Sequence, residues 1–166
     1  MRTTLNAIRE HNPCPDGWRK LLAHLDKTES DDEPLSLLTI LDSNGIDDAL
    51  WALRAVEGYD REKRLYAVWC ARQVKHLLID QRSLNALEVA ERFARGRATR
   101  EELAAAWAAA AAARDAACDA AAAAGGAAWA AAAAAGDAAR AAQVAELRRM
   151  CECIDAGVDP YPESTP

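Results

Sequence analysis

An alanine-rich tract in the second half of this chain of 166 residues constrains the fold more than any other feature. Alanine occupies 29 of the 43 positions from Leu103 to Ala145. It has the highest helix propensity of all residues, but it adds little apolar area to a core. The tract therefore predicts helix, and the hydrophobic content of 51% overstates the core that the chain can build.

The residues that interrupt the alanine tract recur with a period of eleven. Four of them align at this period: Trp107, Cys118, Trp129 and Arg140. Eleven residues make three helical turns, so aligned positions stay on one side of a helix. We therefore expect one apolar stripe that docks the tract on the rest of the protein, formed by Leu103, Trp107, Cys118, Trp129, Leu147, Met150 and Ile154. Trp107 and Trp129 are also candidates for a contact between two copies of the chain.

A single helix from Glu101 to Asp155 would be about 80 Å long, several times the radius of a globule of this size. The tract is therefore expected to bend. The pair Gly125-Gly126 is the expected position, because each glycine costs about 1 kcal/mol relative to alanine in a helix.

The remaining periodic segments also read as helices, and no segment shows the alternation of a strand. Asp16 is expected to cap the second helix, Pro34 to lie in the first turn of the third, and Gly45 to end the third. Asp80 and Thr99 are the expected caps of two later helices. The predicted fold is all-α, a bundle of about seven to eight helices with a long alanine-rich C-terminal helix or helical hairpin. We expect one domain, with a core in residues 1–98, the repeat segment 99–157 packed on it, and a flexible tail 158–166.

The composition indicates a cytoplasmic protein. No run of about 20 large apolar residues is present, which argues against a membrane span. The first residues lack the hydrophobic stretch of a secretory signal. The five cysteines are odd in number and have no framework spacing, as expected for reduced thiols.

Neither a catalytic nor a metal site is expected from the motifs. The chain contains no phosphate-binding loop, no G-x-S-x-G and no H-E-x-x-H. His11, Cys14, Cys151 and Cys153 could supply four zinc ligands, but the C-x-C spacing is not the one that structural zinc sites use. We expect no enzyme activity, no cofactor and no metal.

The charges are unevenly distributed along the chain, with net values of −6 in residues 1–60, +6 in 61–100 and −6 in 101–166. The overall acidity and the missing recognition motif argue against direct binding to nucleic acid. If the turns at residues 29–33 and 42–48 lie at one end of the bundle, their carboxylates form a surface for a basic partner. These candidate partner-binding residues are Glu29, Asp31, Asp32, Glu33, Asp42, Asp47 and Asp48. The alternative is that they are solvated loop residues and carboxylates that complement a helix dipole.

Three segments that precede the alanine-rich helix resemble a known family. They are residues 44–54 (NGIDDALWALR), 69–74 (WCARQV) and 80–96 (DQRSLNALEVAERFARG). Over residues 40–145 the chain resembles the all-helical immunity proteins attached to bacterial polymorphic-toxin systems, a type that also occurs on phages and mobile elements. It departs from that family at Arg97, where the family often has Glu, and its tail lacks the family's histidines. The resemblance implies a compact helical protein that binds and blocks another protein without catalysis.

Three functions are consistent with these features. The first is a non-enzymatic inhibitor of immunity-protein type that binds a toxin or a host-defence effector stoichiometrically. The second is a phage or mobile-element antagonist of host defence, of the anti-CRISPR type, whose carboxylates occupy a basic nucleic-acid-binding surface. The third is a homodimeric structural protein joined through Trp107 and Trp129.

Overall fold

The computed structural model describes residues 1–73, 75, 80–122 and 127–163, and for 113–122, 127–135 and 137 it describes the backbone alone. The protein is 71% helical, with eight α-helices in these residues and almost no strand. The predicted all-α multi-helix fold is thereby confirmed.

The helices are α1 (Leu5–Glu10), α2 (Pro15–His24), α3 (Leu37–Asn44), α4 (Ile46–Ala52), α5 (Asp60–Gln73), α6 (Gln81–Ala94), α7 (Arg100–Ala122) and α8 (Ala127–Asp155). A 3₁₀ turn, Leu53–Ala55, continues α4. The expected bend at Gly125-Gly126 falls between α7 and α8, outside the described residues.

Two short strands were not expected from the sequence. β1 (Arg2–Thr3) pairs with β2 (Leu35–Ser36) in antiparallel orientation, with Thr3 opposite Leu35. The Thr3 hydroxyl donates a buried hydrogen bond of 2.6 Å to the carbonyl of Ala55. Strands of two residues are too short to show the alternation by which a strand is recognised in a sequence.

Two of the predicted helix starts are wrong: Asp16 does not cap α2, and Pro34 does not lie in the first turn of α3. The N-cap of α2 is Cys14, whose sulfur accepts from the Gly17 N–H, and Asp16 lies inside the first turn. The third helix begins at Leu37, because the residues before it belong to β2. Its N-cap is Ser36, which accepts from the Leu38 N–H at 3.2 Å, and Pro34 lies before the helix.

The other predicted helix boundaries are confirmed by their hydrogen bonds. Gly45 ends α3 with a φ of +93°, a conformation that glycine adopts without strain. Asp80 caps α6 by accepting from the Arg82 N–H at 2.8 Å. At the start of α7, the Thr99 hydroxyl accepts from the Glu102 N–H, and the Glu102 carboxylate accepts from the Thr99 N–H. This reciprocal pair is the capping box that the sequence predicted.

The chain forms two compact units. Unit 1 comprises Met1–Tyr59 and Gln143–Pro166, and unit 2 comprises Asp60–Ala142. The unit boundaries at residues 59 and 142 differ from the expected boundary at residue 98.

The core of unit 1 combines its two chain segments. Its largest fully buried side chains are Met1, Leu5, Leu37, Ile40, Leu147, Met150 and Cys151. Burial also raises the pKa of the Cys151 thiol to about 11, because a thiolate is poorly solvated there. The C-terminal part of α8 is therefore a core element of unit 1.

The end of the chain is attached to α8 of unit 1 through Arg149. Its guanidinium donates to both carboxylate oxygens of Glu146, at 2.8 and 2.6 Å, and to the Pro160 carbonyl at 3.0 Å. It also lies over the Tyr161 ring, 5.3 Å from the ring centroid. The tail that was expected to be flexible from residue 158 is thus anchored at Pro160 and Tyr161, while residues 164–166 lie outside the described ones.

The core of unit 2 includes Leu65, Tyr66 and Leu87, but the contact between α6 and α7 is built from smaller residues. Ala86 and Val89 of α6 pack against Ala106 of α7, with Leu103 and Ala110 of α7 beside them. Small side chains allow the two helix backbones to approach closely.

The expected apolar stripe of the alanine tract is correct in part. Leu147 and Met150 are fully buried, in unit 1, but Trp107 is 62% exposed. Ala106 rather than Trp107 faces α6, and the next residue of a helix points about 100° away from it. The side chains of Cys118 and Trp129 lie outside the described part of the chain.

Candidate functional site

Four of the candidate residues lie in the loop between α2 and β2: Glu29, Asp31, Asp32 and Glu33. One lysine compensates the charges of two of them. The Lys27 ammonium donates to Asp31 at 2.5 Å and to Glu33 at 2.6 Å. Hydrogen bonding from Lys27 holds the pKa of Asp31 below its usual value. Glu29 and Asp32 are exposed, and neither has an ion pair within 4 Å in the described part of the chain.

The other three candidate residues surround the turn between α3 and α4. Asp42 is exposed and pairs with Arg148 of α8. Asp47 and Asp48 lie in the first turn of α4, where carboxylates complement the helix dipole. Asp47 is exposed, whereas Asp48 is half-buried and accepts from the Asn44 side chain at 2.7 Å.

The two acidic groups lie at opposite ends of the helical pair α2–α3. Asn44, at the end of α3, donates to the carbonyl of Gly17, at the start of α2, with a distance of 2.8 Å. The two helices therefore run antiparallel, and the loop 29–33 lies at their other end. A helix of ten residues spans about 15 Å, so the two acidic groups are separated by about this length along α2.

A close contact between α2 and α4 fixes Asp48 in place. A Cβ atom on Gly17 would lie 2.5 Å from Oδ2 of Asp48 and 3.0 Å from the sulfur of Cys14. A side chain at position 17 would therefore require the Asp48 carboxylate to move. Asn44 bridges the two helices, since its Nδ2 donates both to Gly17 and to Asp48.

Beside this contact lies a cavity of about 210 Å³, which we call the tryptophan groove. Its lining residues include two tryptophans, two aliphatic side chains and two carboxylates: Trp18, Trp51, Leu21, Ile40, Asp47 and Asp48. Trp18 and Trp51 are half-buried, so each ring is partly in contact with solvent. The volume is below the roughly 300–1,000 Å³ of small-molecule pockets and suits one or two side chains of a partner.

The composition of the tryptophan groove favours a cationic side chain. Lysine and arginine have an apolar stem that packs on an indole and a charged end that pairs with a carboxylate. Arg54 shows that a cation can pack on an indole of this groove, because its guanidinium lies over the Trp51 ring at 4.6 Å from the centroid. Asp47 is exposed at the groove and can form the second contact.

The sequence proposed Asp47 and Asp48 as candidates, but it did not point to Trp18 and Trp51, which line the same cavity. The available signal was the composition, because five of the nine aromatic residues are tryptophan, a residue that is enriched in binding sites.

Within the described residues, no three His, Cys, Asp or Glu side chains converge to hold a metal ion. No helix among these residues is long and apolar enough to cross a bilayer.

A pair of glycine variants tests the contact between α2 and α4. Gly17→Ala is expected to displace Asp48 and to break its hydrogen bond with Asn44, at a cost of about 2 kcal/mol, offset by about 1 kcal/mol of helix propensity. Gly136→Ala provides the control, since Gly136 is helical and a Cβ atom there meets nothing within 4 Å. Urea titrations should show a loss of about 1 kcal/mol for the first and a gain of up to about 1 kcal/mol for the second. If both variants gained the same free energy of unfolding, Asp48 would move aside without cost.

Comparison with family models, with curated proteins and with solved structures gives no match for the chain. The resemblance to immunity proteins described above stays a prediction.

Proposed function

We propose that the protein is a non-enzymatic inhibitor that binds a basic segment of a partner protein through unit 1. The tryptophan groove is the observation that carries this proposal, because it combines two half-exposed indoles with the carboxylates of Asp47 and Asp48. A lysine or arginine of the partner enters the groove as an anchor. Tryptophan and arginine are enriched among the few residues that contribute most of the binding energy of protein interfaces.

The charge of unit 1 supports the same kind of partner. The unit carries 16 acidic and 8 basic residues, a net charge of −8, whereas unit 2 carries 10 acidic and 12 basic residues. A surface of this charge accelerates the encounter with a basic protein and disfavours acidic ones. An immunity protein that blocks a toxin is the form of inhibitor that the sequence resemblance implies.

A second candidate is an antagonist of host defence, of the anti-CRISPR type, that covers a basic nucleic-acid-binding surface. The separation of the acidic residues favours it, because Glu29 and Asp32 lie at the opposite end of α2–α3 from Asp47. Carboxylates spaced along a surface match the spaced cations of a nucleic-acid channel better than one compact cluster does.

Two charge reversals, matched in size and placed at opposite ends of α2–α3, test the proposal. The partner is captured from host lysate with the wild-type protein, identified by mass spectrometry and purified for calorimetry. Asp47→Lys, in the groove, is expected to weaken binding by at least about tenfold, and added salt to weaken it further. Asp32→Lys, in the distant loop, is expected to change the affinity by less than about twofold.

The inhibitor mechanism makes a separate prediction about stoichiometry. The activity of the purified partner should fall linearly with added protein and reach its minimum at one equivalent. An equal loss of affinity in both lysine variants would place the anchor outside the tryptophan groove. A partner that stays fully active when saturated would contradict inhibition itself.

A further inference from the structure

Unit 2 contains a second groove, which we call the alanine groove, formed by α5, α6 and α7. Its volume is about 840 Å³, and its larger lining side chains are Val68, Leu87, Phe93, Leu103, Trp107 and Arg64. Alanines from all three helices fill the positions between them, including Ala67 and Ala111. None of these residues belongs to the tryptophan groove.

The alanine groove is open rather than enclosed. Trp107 is 62% exposed, and Ala67 and Ala111 on opposite walls are exposed as well. A small ligand is usually buried over most of its surface, which such open walls do not provide. The α7 wall runs from Leu103 to Ala111, a length of about 12 Å or two helical turns. Small alanine side chains along it allow the backbone of an added helix to approach closely.

The charge at the alanine groove is positive. Lys63 is 3.6 Å from Asp60, which compensates its charge. Arg64 has no ion pair within 4 Å among the described residues, and its guanidinium lies over the Phe93 ring at 5.1 Å from the centroid. This places one uncompensated cation on the wall of an apolar groove.

We propose that the alanine groove binds an amphipathic helix of a partner protein that carries carboxylates beside its apolar face. Large apolar side chains of that helix pack against Trp107, Leu103 and Phe93. A carboxylate at the edge of its apolar face pairs with Arg64. This is the helix-in-groove mode of recognition, with apolar anchors spaced three and four residues apart.

Two synthetic peptides of about 18 residues serve as probes of the alanine groove. They share one leucine face with i, i+3, i+4 and i+7 spacing, and they differ in flanking residues, which are glutamates in one and lysines in the other. Binding of the labelled peptides to the full chain is measured by fluorescence anisotropy. The glutamate peptide is expected to bind at least about tenfold more tightly than the lysine peptide.

Single substitutions assign the binding to the groove. Trp107→Ala is expected to weaken binding of the glutamate peptide by at least about tenfold, and Arg64→Ala by about three- to fivefold. Arg100→Ala removes the same charge from an exposed position at the start of α7, outside the groove, and is expected to leave the affinity unchanged. Circular dichroism verifies that each variant is folded.

Three outcomes would overturn the proposal. If the glutamate and lysine peptides bound with equal affinity, the partner helix would not need to be acidic. If the Trp107→Ala variant bound the glutamate peptide as tightly as the wild type, the peptide would bind outside the alanine groove. Sedimentation that shows a dimer of the wild type and a monomer of Trp107→Ala would assign the groove to a second copy of the chain.

Discussion

Leu147→Ala is expected to lower the free energy of unfolding by about 3 kcal/mol, one of the two largest effects expected in this protein. Leu147 has no exposed surface, although it lies only two residues beyond the alanine tract. Its truncation leaves a cavity in the core of unit 1. Urea titration followed by tryptophan fluorescence measures the loss.

Two further variants separate the cavity from other effects of the substitution. Leu147→Met keeps the side-chain volume and should cost less than about 1.5 kcal/mol. Val158→Ala removes apolar atoms from a residue that is 57% exposed, and it should cost less than about 0.5 kcal/mol. If Leu147→Ala cost no more than Val158→Ala, then α8 would not contribute to the core of unit 1.

Arg149→Ala is the second substitution with a large expected effect, about 3 kcal/mol of lost stability. The carboxylate of Glu146 is buried, and Arg149 contacts both of its oxygens. Its removal leaves a buried charge without a partner, which costs more than the pair itself contributes. The variant also loses the contacts to Pro160 and Tyr161, so the segment around these two residues should become more sensitive to proteolysis.

The double variant Arg149→Ala with Glu146→Gln provides the control. It removes the buried charge together with its partner, and it should recover about half of the stability that Arg149→Ala loses. Arg149→Lys keeps the positive charge but not the two parallel hydrogen bonds, and it should fall between the wild type and the alanine variant. Equal stability of the single and double variants would show that the buried carboxylate is not the cause.

Local sequence signals predicted most of the helices and several of their ends. The capping box at Thr99 and the left-handed turn at Gly45 depend on neighbouring residues alone, so the sequence contains all the information they need. Ser36 escaped prediction as a cap because the residue before it pairs with Thr3, which is distant in sequence.

The candidate site was predictable only in part, because it depends on contacts between helices. The periodicity of the tract grouped Trp107 with Leu147, yet Trp107 is exposed and Leu147 is buried. A repeat shows which residues share a helix face, but it does not show whether another element covers that face. The seven acidic residues stay candidates that the sequence proposes. Their separation follows from the antiparallel course of α2 and α3, which the hydrogen bond from Asn44 to Gly17 reveals.

Unit 1 is formed by two segments that are far apart in the sequence, so its parts are synthesised at different times. During synthesis the ribosome releases residues 1–59 long before Leu147 and Met150, which complete their core. The first segment must remain without these partners while the 83 residues of unit 2 are made. Unit 2 is continuous in sequence and can fold in that interval. Unit 1 therefore begins first and finishes last, and its apolar surface is exposed to chaperones and proteases for the time between.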